Sequence, residues 1–149
     1  MVLLSRDEAL IIDICEKIKE AKSASQIKSS SCWRNICDID LLYSEVNSGA
    51  SFEQYFRWAS ASQIKRVITA LNEVGLTEIA IITKEAVEIA FPNGVPDSDE
   101  KKSSLTYNWS LEQEDKLANL YKPFFAENSS IITTLAIYVR ECLSIEPLD

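Results

Sequence analysis

The stretch that decides the fold reads LLYSEVNSGASFEQYF, from Leu41 to Phe56. Its apolar first part ends in Asn47-Ser48-Gly49, and glycine closes helices at low cost because it accepts the left-handed backbone conformation. Ser51-Phe52-Glu53-Gln54 follows and has the capping-box pattern of a helix start. The pattern therefore predicts a helix, a left-handed break at Gly49 and a second, short helix.

The short second helix is rich in aromatic residues. It carries Phe52, Tyr55 and Phe56, with Trp58 at its end. Because aromatic side chains bury large apolar areas, we expect these rings to anchor the core.

Helical patterns continue on both sides of this stretch. An N-terminal helix is predicted over residues 1–22, a serine-rich connector over 23–34, and a helix over 35–47 that leads into the break. Towards the C-terminus, Gly75 is expected to end one helix and Phe91-Pro92 the next. Ser110-Leu111-Glu112-Gln113 is another capping-box pattern and predicts a further helix start.

Residues 92–108 are mostly polar and are predicted to form a long loop. Period-two alternation bounded by Asn-Gly or Asp-Gly turns, the usual signal of strands, is missing from the chain. The sequence thus predicts an all-α, single-domain bundle of about seven helices over residues 1–149, with its core in 35–143 and no significant sheet.

The composition argues against several function classes. The chain has no histidine, which removes Ser-His-Asp and Cys-His catalysis, and its three glycines cannot assemble a phosphate-cradling loop. A formal net charge of -8 argues against direct nucleic-acid binding, because duplex binding relies on Lys and Arg. We therefore expect a non-enzymatic protein without a cofactor, a metal or a nucleic-acid ligand.

The sequence also predicts where the protein resides. No apolar run reaches the roughly 18 to 20 residues that span a bilayer, and Asp7 and Glu8 interrupt any signal sequence. A cytoplasmic protein without membrane association is expected, so its four cysteines should be reduced thiols. They are Cys15, Cys32, Cys37 and Cys142.

Residues 42–56 resemble the signature of the DNA mimic protein nineteen-like family, bacterial helical proteins of mostly unknown function. That signature is Tyr, two residues, Glu-Val-Asn-Asn-Gly-Gly-Phe, one residue and Gln-Tyr-Phe. Ala70-Leu71 and Phe91-Pro92 follow in the family's order, and the resemblance extends over residues 38–143. The matching motif residues are Tyr43, Glu45, Asn47, Gly49, Phe52, Gln54, Tyr55 and Phe56.

The chain departs from the family signature in two places. It has Ser48-Gly49-Ala50-Ser51-Phe52, which is one residue longer than the family's Asn-Gly-Gly-Phe, and Arg57-Trp58-Ala59-Ser60 where the family has Asn-Ser-Ser-Gly. Because capping and break signals explain most of the motif, we expect Gly49 and the rings to be structural. Glu45 and Gln54 are expected to brace the turn.

The resemblance implies an all-helical homodimer that binds a basic protein. In the family's best-known member, an acidic surface imitates duplex DNA and occupies the DNA-binding face of a transcription regulator. Acids three or four residues apart on a helix have Cβ atoms about 5 to 6 Å apart, which is compatible with phosphate spacing. The candidate residues for such a surface are Glu78, Glu85, Glu88, Glu112 and Asp115.

Two other function classes stay open at this stage. One is an immunity-type protein that neutralises a cognate toxin. The other is an enzyme that uses a carboxylate pair, such as Glu85 with Glu88 or Glu112 with Asp115, which lie one helical turn apart. Such pairs on a surface helix are usually solvated and only keep the protein soluble.

Overall fold

The computed structural model describes residues 5–20 and 31–145. Within these ranges the chain forms helices and no strands, which confirms the all-α prediction. The helices are α1 (Arg6–Glu20), α2 (Ser31–Gly49), α3 (Glu53–Trp58), α4 (Ala61–Val74), α5 (Thr77–Ala90), α6 (Asp99–Thr106), α7 (Leu111–Asn119), α8 (Tyr121–Ala126) and α9 (Asn128–Ile145).

The long helix α2 lies at the centre of the bundle. It contacts α1, α3, α4, α8 and α9. Helix α5 packs on α4 and also contacts α7 and α8. The helix starts earlier than predicted, at Ser31, so the predicted connector over 23–34 is wrong for residues 31–34. The rest of that connector, like residues 1–4 and 21–22 of the predicted first helix, lies outside the described residues.

The aromatic rings of the opening stretch form the middle of the core. Phe52, Tyr55 and Phe56 are fully buried, and the Phe56 ring centroid lies 5.4 Å from that of Phe91. The prediction for Trp58 is wrong, because its side chain is 75% exposed. Residues two apart on a helix do not face each other, so Trp58 points away when Phe56 points inward.

The break after α2 differs from the predicted one. Gly49 stays within the helix, and Ala50 takes the left-handed conformation with φ of 51°. Gly49 is required for another reason, since a Cβ atom there would lie 3.0 Å from Cβ of Gln54. The glycine therefore permits a close approach of α2 and α3, and the alanine beside it carries the backbone strain.

Replacing Ala50 with glycine is expected to raise the free energy of unfolding by roughly 0.5 to 1 kcal/mol, because glycine adopts positive φ without a steric penalty. Chemical denaturation monitored by circular dichroism measures this change. The control is Ala118→Gly, at an exposed position inside α7, which should lower the free energy of unfolding by about the same amount. Equal destabilisation by both variants would contradict the assigned backbone conformation.

The predicted loop over residues 92–108 is wrong in its second half, where α6 occupies Asp99–Thr106. Ser98 caps the helix by accepting a hydrogen bond from the amide of Lys101. The buried Lys102 ammonium donates to the carbonyls of Phe56, at 3.0 Å, and Arg57, at 2.8 Å. The helix is thus held by a charged group instead of an apolar stripe, and no apolar periodicity marks it in the sequence.

The prediction of four reduced thiols is also wrong, because Cys32 and Cys142 form a disulfide. Cys32 lies in the first turn of α2 and Cys142 near the end of α9, and their Cα atoms are 5.9 Å apart. Only the packing of α9 against α2 brings these two positions, 110 residues apart in sequence, within bonding range.

Tyr55 places a buried hydroxyl beside a partly buried ion pair. Asp38 binds the guanidinium of Arg66 through two hydrogen bonds of 3.0 Å each. Among the described residues, no hydrogen-bond partner is found for the Tyr55 hydroxyl. Burial, and then the negative charge of Asp38, raise the pKa of Tyr55 above its ordinary value of 10.0, while Arg66 partly opposes this shift.

The Tyr55→Phe variant is expected to gain about 1 kcal/mol of stability at neutral pH, since it removes a buried hydroxyl that lacks a partner. A raised tyrosine pKa contributes stability that is present below pH 10.0 and is lost as the pH rises above that value. The variant should therefore lose less stability at alkaline pH than the wild type. Denaturation midpoints across this pH range measure both effects.

The control for this substitution is Tyr107→Phe, because the Tyr107 side chain is exposed. The Tyr107→Phe substitution should change neither the denaturation midpoint at neutral pH nor the loss of stability at alkaline pH. A marked destabilisation by Tyr55→Phe at neutral pH would show that the hydroxyl has a strong partner.

Candidate partner-binding groove

Side chains within and just before the first turn of α7 hold the C-terminal end of α5. Trp109 donates its indole N–H to the carbonyl of Ala90 at 3.0 Å, and Gln113 donates to the carbonyl of Ile89 at 2.8 Å. These bonds satisfy two of the carbonyls that the end of a helix leaves without partners. The predicted capping box at Ser110 is confirmed, so the same Gln113 side chain also fixes the start of α7.

A groove of about 450 Å³ lies between these two helix ends. Three glutamates face it, two from the last turns of α5 and one from the first turn of α7. We call it the α5–α7 groove, and its lining residues are Glu85, Glu88, Ile89, Pro92, Glu112, Gln113 and Lys116.

The charges in the α5–α7 groove are mostly uncompensated. Glu112 forms an ion pair with Lys116, with an N–O distance of 3.1 Å, but both side chains are exposed and such pairs contribute little. Within the described ranges, no ion pair includes Glu85 or Glu88. The groove is therefore open to a positively charged ligand.

The position of Glu88 costs the fold some stability. It lies in the last turn of α5, which contains no basic residue. The helix dipole is negative at that end and disfavours a carboxylate by roughly 0.3 to 1 kcal/mol. The negative charge of Glu88 is therefore not explained by the stability of α5.

The structure brings three of the five predicted acidic residues together. Glu85, Glu88 and Glu112 line the α5–α7 groove. Glu78 is exposed in the first turn of α5, and Asp115 is exposed one turn beyond Glu112 on α7. Both lie outside the groove lining, on the same two helices.

Two exposed apolar residues beside these acids were missed by sequence reasoning. Ile81 is 63% exposed and lies one turn before Glu85, and Leu111 is 80% exposed and directly precedes Glu112. A signal for Ile81 was present, since a residue four positions before Glu85 shares its helix face. Large apolar side chains beside charges are common in surfaces that bind other proteins.

The polar residues of the opening stretch bind one another and their helical neighbours. Gln54 donates to the carboxylate of Glu45 at 2.7 Å, which links α3 to α2. Asn47 and Asn128 exchange hydrogen bonds of 2.7 and 3.3 Å, and the Tyr121 hydroxyl donates to Asn47 at 3.1 Å. These contacts connect the end of α2 to α8 and α9.

Tyr43 completes this arrangement, because its carbonyl accepts a hydrogen bond of 2.9 Å from the Asn47 side chain. The side chains of Glu45, Asn47 and Gln54 thus have hydrogen-bond partners inside the bundle. The motif holds helices together and lies apart from the residues that line the α5–α7 groove.

Among the described residues, no cluster of three or more carboxylate or thiol ligands is arranged to hold a metal ion. No helix of the described part combines the length and the apolar character needed to cross a bilayer.

The family model described as DMP19-like protein matches residues 29–142, most of the chain. The chain belongs to this family. The DMP19-like region includes the motif of residues 41–56 and both helices of the α5–α7 groove. Neither the curated proteins nor the solved structures give a significant match.

Proposed function

We propose that this DMP19-like chain is a non-enzymatic interaction protein whose acidic α5–α7 groove binds a basic protein. The proposed target is the DNA-binding face of a regulator, which would be occupied in the manner of duplex DNA. The observation that carries the proposal is the convergence of Glu85, Glu88 and Glu112 on one groove. Complementary charge favours encounter with a basic surface and selects against acidic ones.

The density of charge defines how much of a duplex this surface could imitate. From Glu78 to Glu88, α5 rises about 15 Å, a length over which duplex DNA carries roughly nine negative charges. The two helices together supply six acids, which are the five candidates and Glu114, and two basic residues, Lys84 and Lys116. The proposed mimicry therefore covers a short part of one DNA-binding surface, and a second copy of the chain would extend it.

The exposed apolar residues support a protein as the ligand. Ile81 and Leu111 lie beside the acids of α5 and α7, where they offer apolar contact that small cations do not use. A partner with both basic and apolar side chains would fill this surface better than a purely cationic polymer. The bound partner is thus expected to remain partly associated when salt screens the charges.

The test begins with the immobilised protein and a bacterial extract, followed by elution with duplex DNA. We expect the retained proteins to be basic DNA-binding proteins that the duplex displaces, because both ligands would occupy the same face. One such protein is then purified for affinity measurements. Retention of proteins that duplex DNA does not displace would contradict mimicry.

The triple variant Glu85→Gln, Glu88→Gln and Glu112→Gln is expected to bind the purified partner about 10- to 100-fold more weakly, since each lost charge contact contributes roughly 0.5 to 1 kcal/mol. Calorimetry or fluorescence anisotropy measures the dissociation constant. The matched control removes the same charge elsewhere, at exposed Glu16, Glu100 and Glu141. Equal weakening in the control would show that only the net charge matters.

We also propose that the protein is a homodimer, following the family resemblance. Multi-angle light scattering measures the mass in solution. A monomer at micromolar concentration would remove the dimer from the proposal and leave the groove as the whole binding surface.

A further inference from the structure

The two cysteines outside the disulfide lie against each other in the core. Cys15 of α1 is buried, and Cys37 of α2 is half-buried. The Cys15 thiol makes side-chain hydrogen bonds with Cys37 and with Asp40. Two sulfur atoms and a carboxylate thus meet where α1 packs on α2.

The arrangement follows from the spacing of cysteines on α2. Cys32 and Cys37 are five residues apart, so they point in different directions around the helix. Cys32 is directed to Cys142 of α9, and Cys37 to Cys15 of α1. One helix therefore presents a sulfur atom to each of two neighbouring helices.

We propose that Cys15 and Cys37 are a redox-active dithiol that peroxides oxidise to a second, reversible disulfide between α1 and α2. This site is independent of the acidic groove, and it is a modification site with hydrogen peroxide or an organic hydroperoxide as its oxidant.

The reaction proceeds in two steps. The Cys37 thiolate attacks one peroxide oxygen, the O–O bond breaks, and Cys37 becomes a sulfenic acid while hydroxide or alkoxide leaves and takes a proton. The Cys15 sulfur then attacks the sulfenic sulfur, the S–S bond forms, and the hydroxyl group leaves as water with the Cys15 proton. Two thiols lose two electrons, and the peroxide gains them.

The surroundings assign these roles to the two sulfur atoms. Cys37 is the more exposed of the pair and is the one a small peroxide reaches first. The hydrogen bond with Cys37, burial and the charge of Asp40 raise the pKa of Cys15, so its thiol keeps its proton until the second step. Asp40 can relay that proton to the departing hydroxyl group, because it is already hydrogen-bonded to the thiol.

The second disulfide would close a loop between positions 15 and 37 and tie α1 to the central helix. A crosslink over a loop of this length removes conformational freedom from the unfolded chain. Oxidation is therefore expected to raise the melting temperature by roughly 5 to 10 °C.

The experiment treats the purified full chain with hydrogen peroxide and maps its peptides by mass spectrometry without reduction. We expect a crosslinked peptide pair containing Cys15 and Cys37, with the loss of two hydrogen atoms, and its reversal by dithiothreitol. Thiols that persist at both positions, or an exchange that opens the Cys32–Cys142 disulfide, would overturn the proposal.

The variants Cys15→Ser and Cys37→Ser separate the two roles. Without Cys15, the sulfenic acid at Cys37 has no thiol to condense with and should proceed to the sulfinic acid, visible as added oxygen. Without Cys37, Cys15 should stay reduced. If either variant folds poorly, peptide mapping of the wild type still decides, and binding of the basic partner remains a separate measurement.

Discussion

Replacing Phe56 with alanine is expected to lower the free energy of unfolding by about 3 to 5 kcal/mol, the usual cost of truncating a buried aromatic side chain. The Phe56 ring is fully buried and contacts four other aromatic rings. They are Phe52, Tyr55, Phe91 and Trp109, with centroids 5.4 to 6.5 Å from that of Phe56. Because domains are typically stable by only about 5 to 15 kcal/mol, this loss would remove a large fraction of the stability.

Urea denaturation followed by circular dichroism and fluorescence measures this loss. The matched control is Phe125→Ala, since Phe125 is 59% exposed and should cost less than about 1 kcal/mol. A loss at Phe56 no greater than at Phe125 would show that this ring is not central to the core.

The same ring connects the motif to the proposed binding surface. Phe56 contacts Trp109, and the indole of Trp109 donates to the carbonyl of Ala90 at the end of α5. The packing of the motif therefore fixes the end of α5, which carries Glu85 and Glu88. A milder substitution, Phe56→Leu, is expected to weaken partner binding without removing any charge.

Reduction of the Cys32–Cys142 disulfide is expected to lower the free energy of unfolding by about 4 to 5 kcal/mol, because the bond closes a very long loop in the unfolded chain. The two cysteines are 110 residues apart in sequence and join the start of α2 to the end of α9. Urea midpoints with and without reductant measure the effect.

The Cys32→Ser, Cys142→Ser double variant provides the control for reduction. It should be as unstable as the reduced wild type and should not respond further to reductant. Equal midpoints for the oxidised, reduced and double-variant proteins would show that packing of α9 on α2 holds without the covalent bond. That result would also fit a protein that works in a reducing compartment.

The acidic groove illustrates a conflict between stability and the proposed binding. A carboxylate at Glu88 is unfavourable at the C-terminal end of a helix, and it lies beside two other glutamates. We therefore expect loss of this charge to stabilise the fold slightly while it weakens binding. Stability and binding that change in opposite directions are typical of residues kept for function.

Local chemistry allowed several elements to be predicted from the sequence. Gly75 ends α4 with φ of 95°, and Ser110 starts α7 with a reciprocal capping box, as their sequence patterns indicate. The buried positions of Phe52, Tyr55 and Phe56 also follow from local helical spacing. These features depend on residues within four positions of one another, so the sequence contains all that determines them.

Other elements depend on contacts that sequence spacing does not contain. Helix α6 was predicted as a loop because its anchor is the Lys102 ammonium bound to carbonyls of α3, more than 40 residues earlier. The left-handed residue is Ala50 instead of Gly49, and a Cβ atom at Gly49 would lie 3.0 Å from Cβ of Gln54 on the next helix. The Lys102 anchor and the close contact at Gly49 each join two different helices, so spacing within one helix does not predict them.

The sequence by itself determined that this protein is all-α and acidic, and that residues 41–56 contain a helix, a break and an aromatic restart, because these properties arise from composition and short-range spacing. Only the tertiary structure decided which cysteines pair and which acids meet. Cys32 with Cys142, and Glu85 with Glu112, lie on different helices. These residues are close together because the helices pack around the aromatic rings. The rings are buried because the removal of apolar surface from water is favourable.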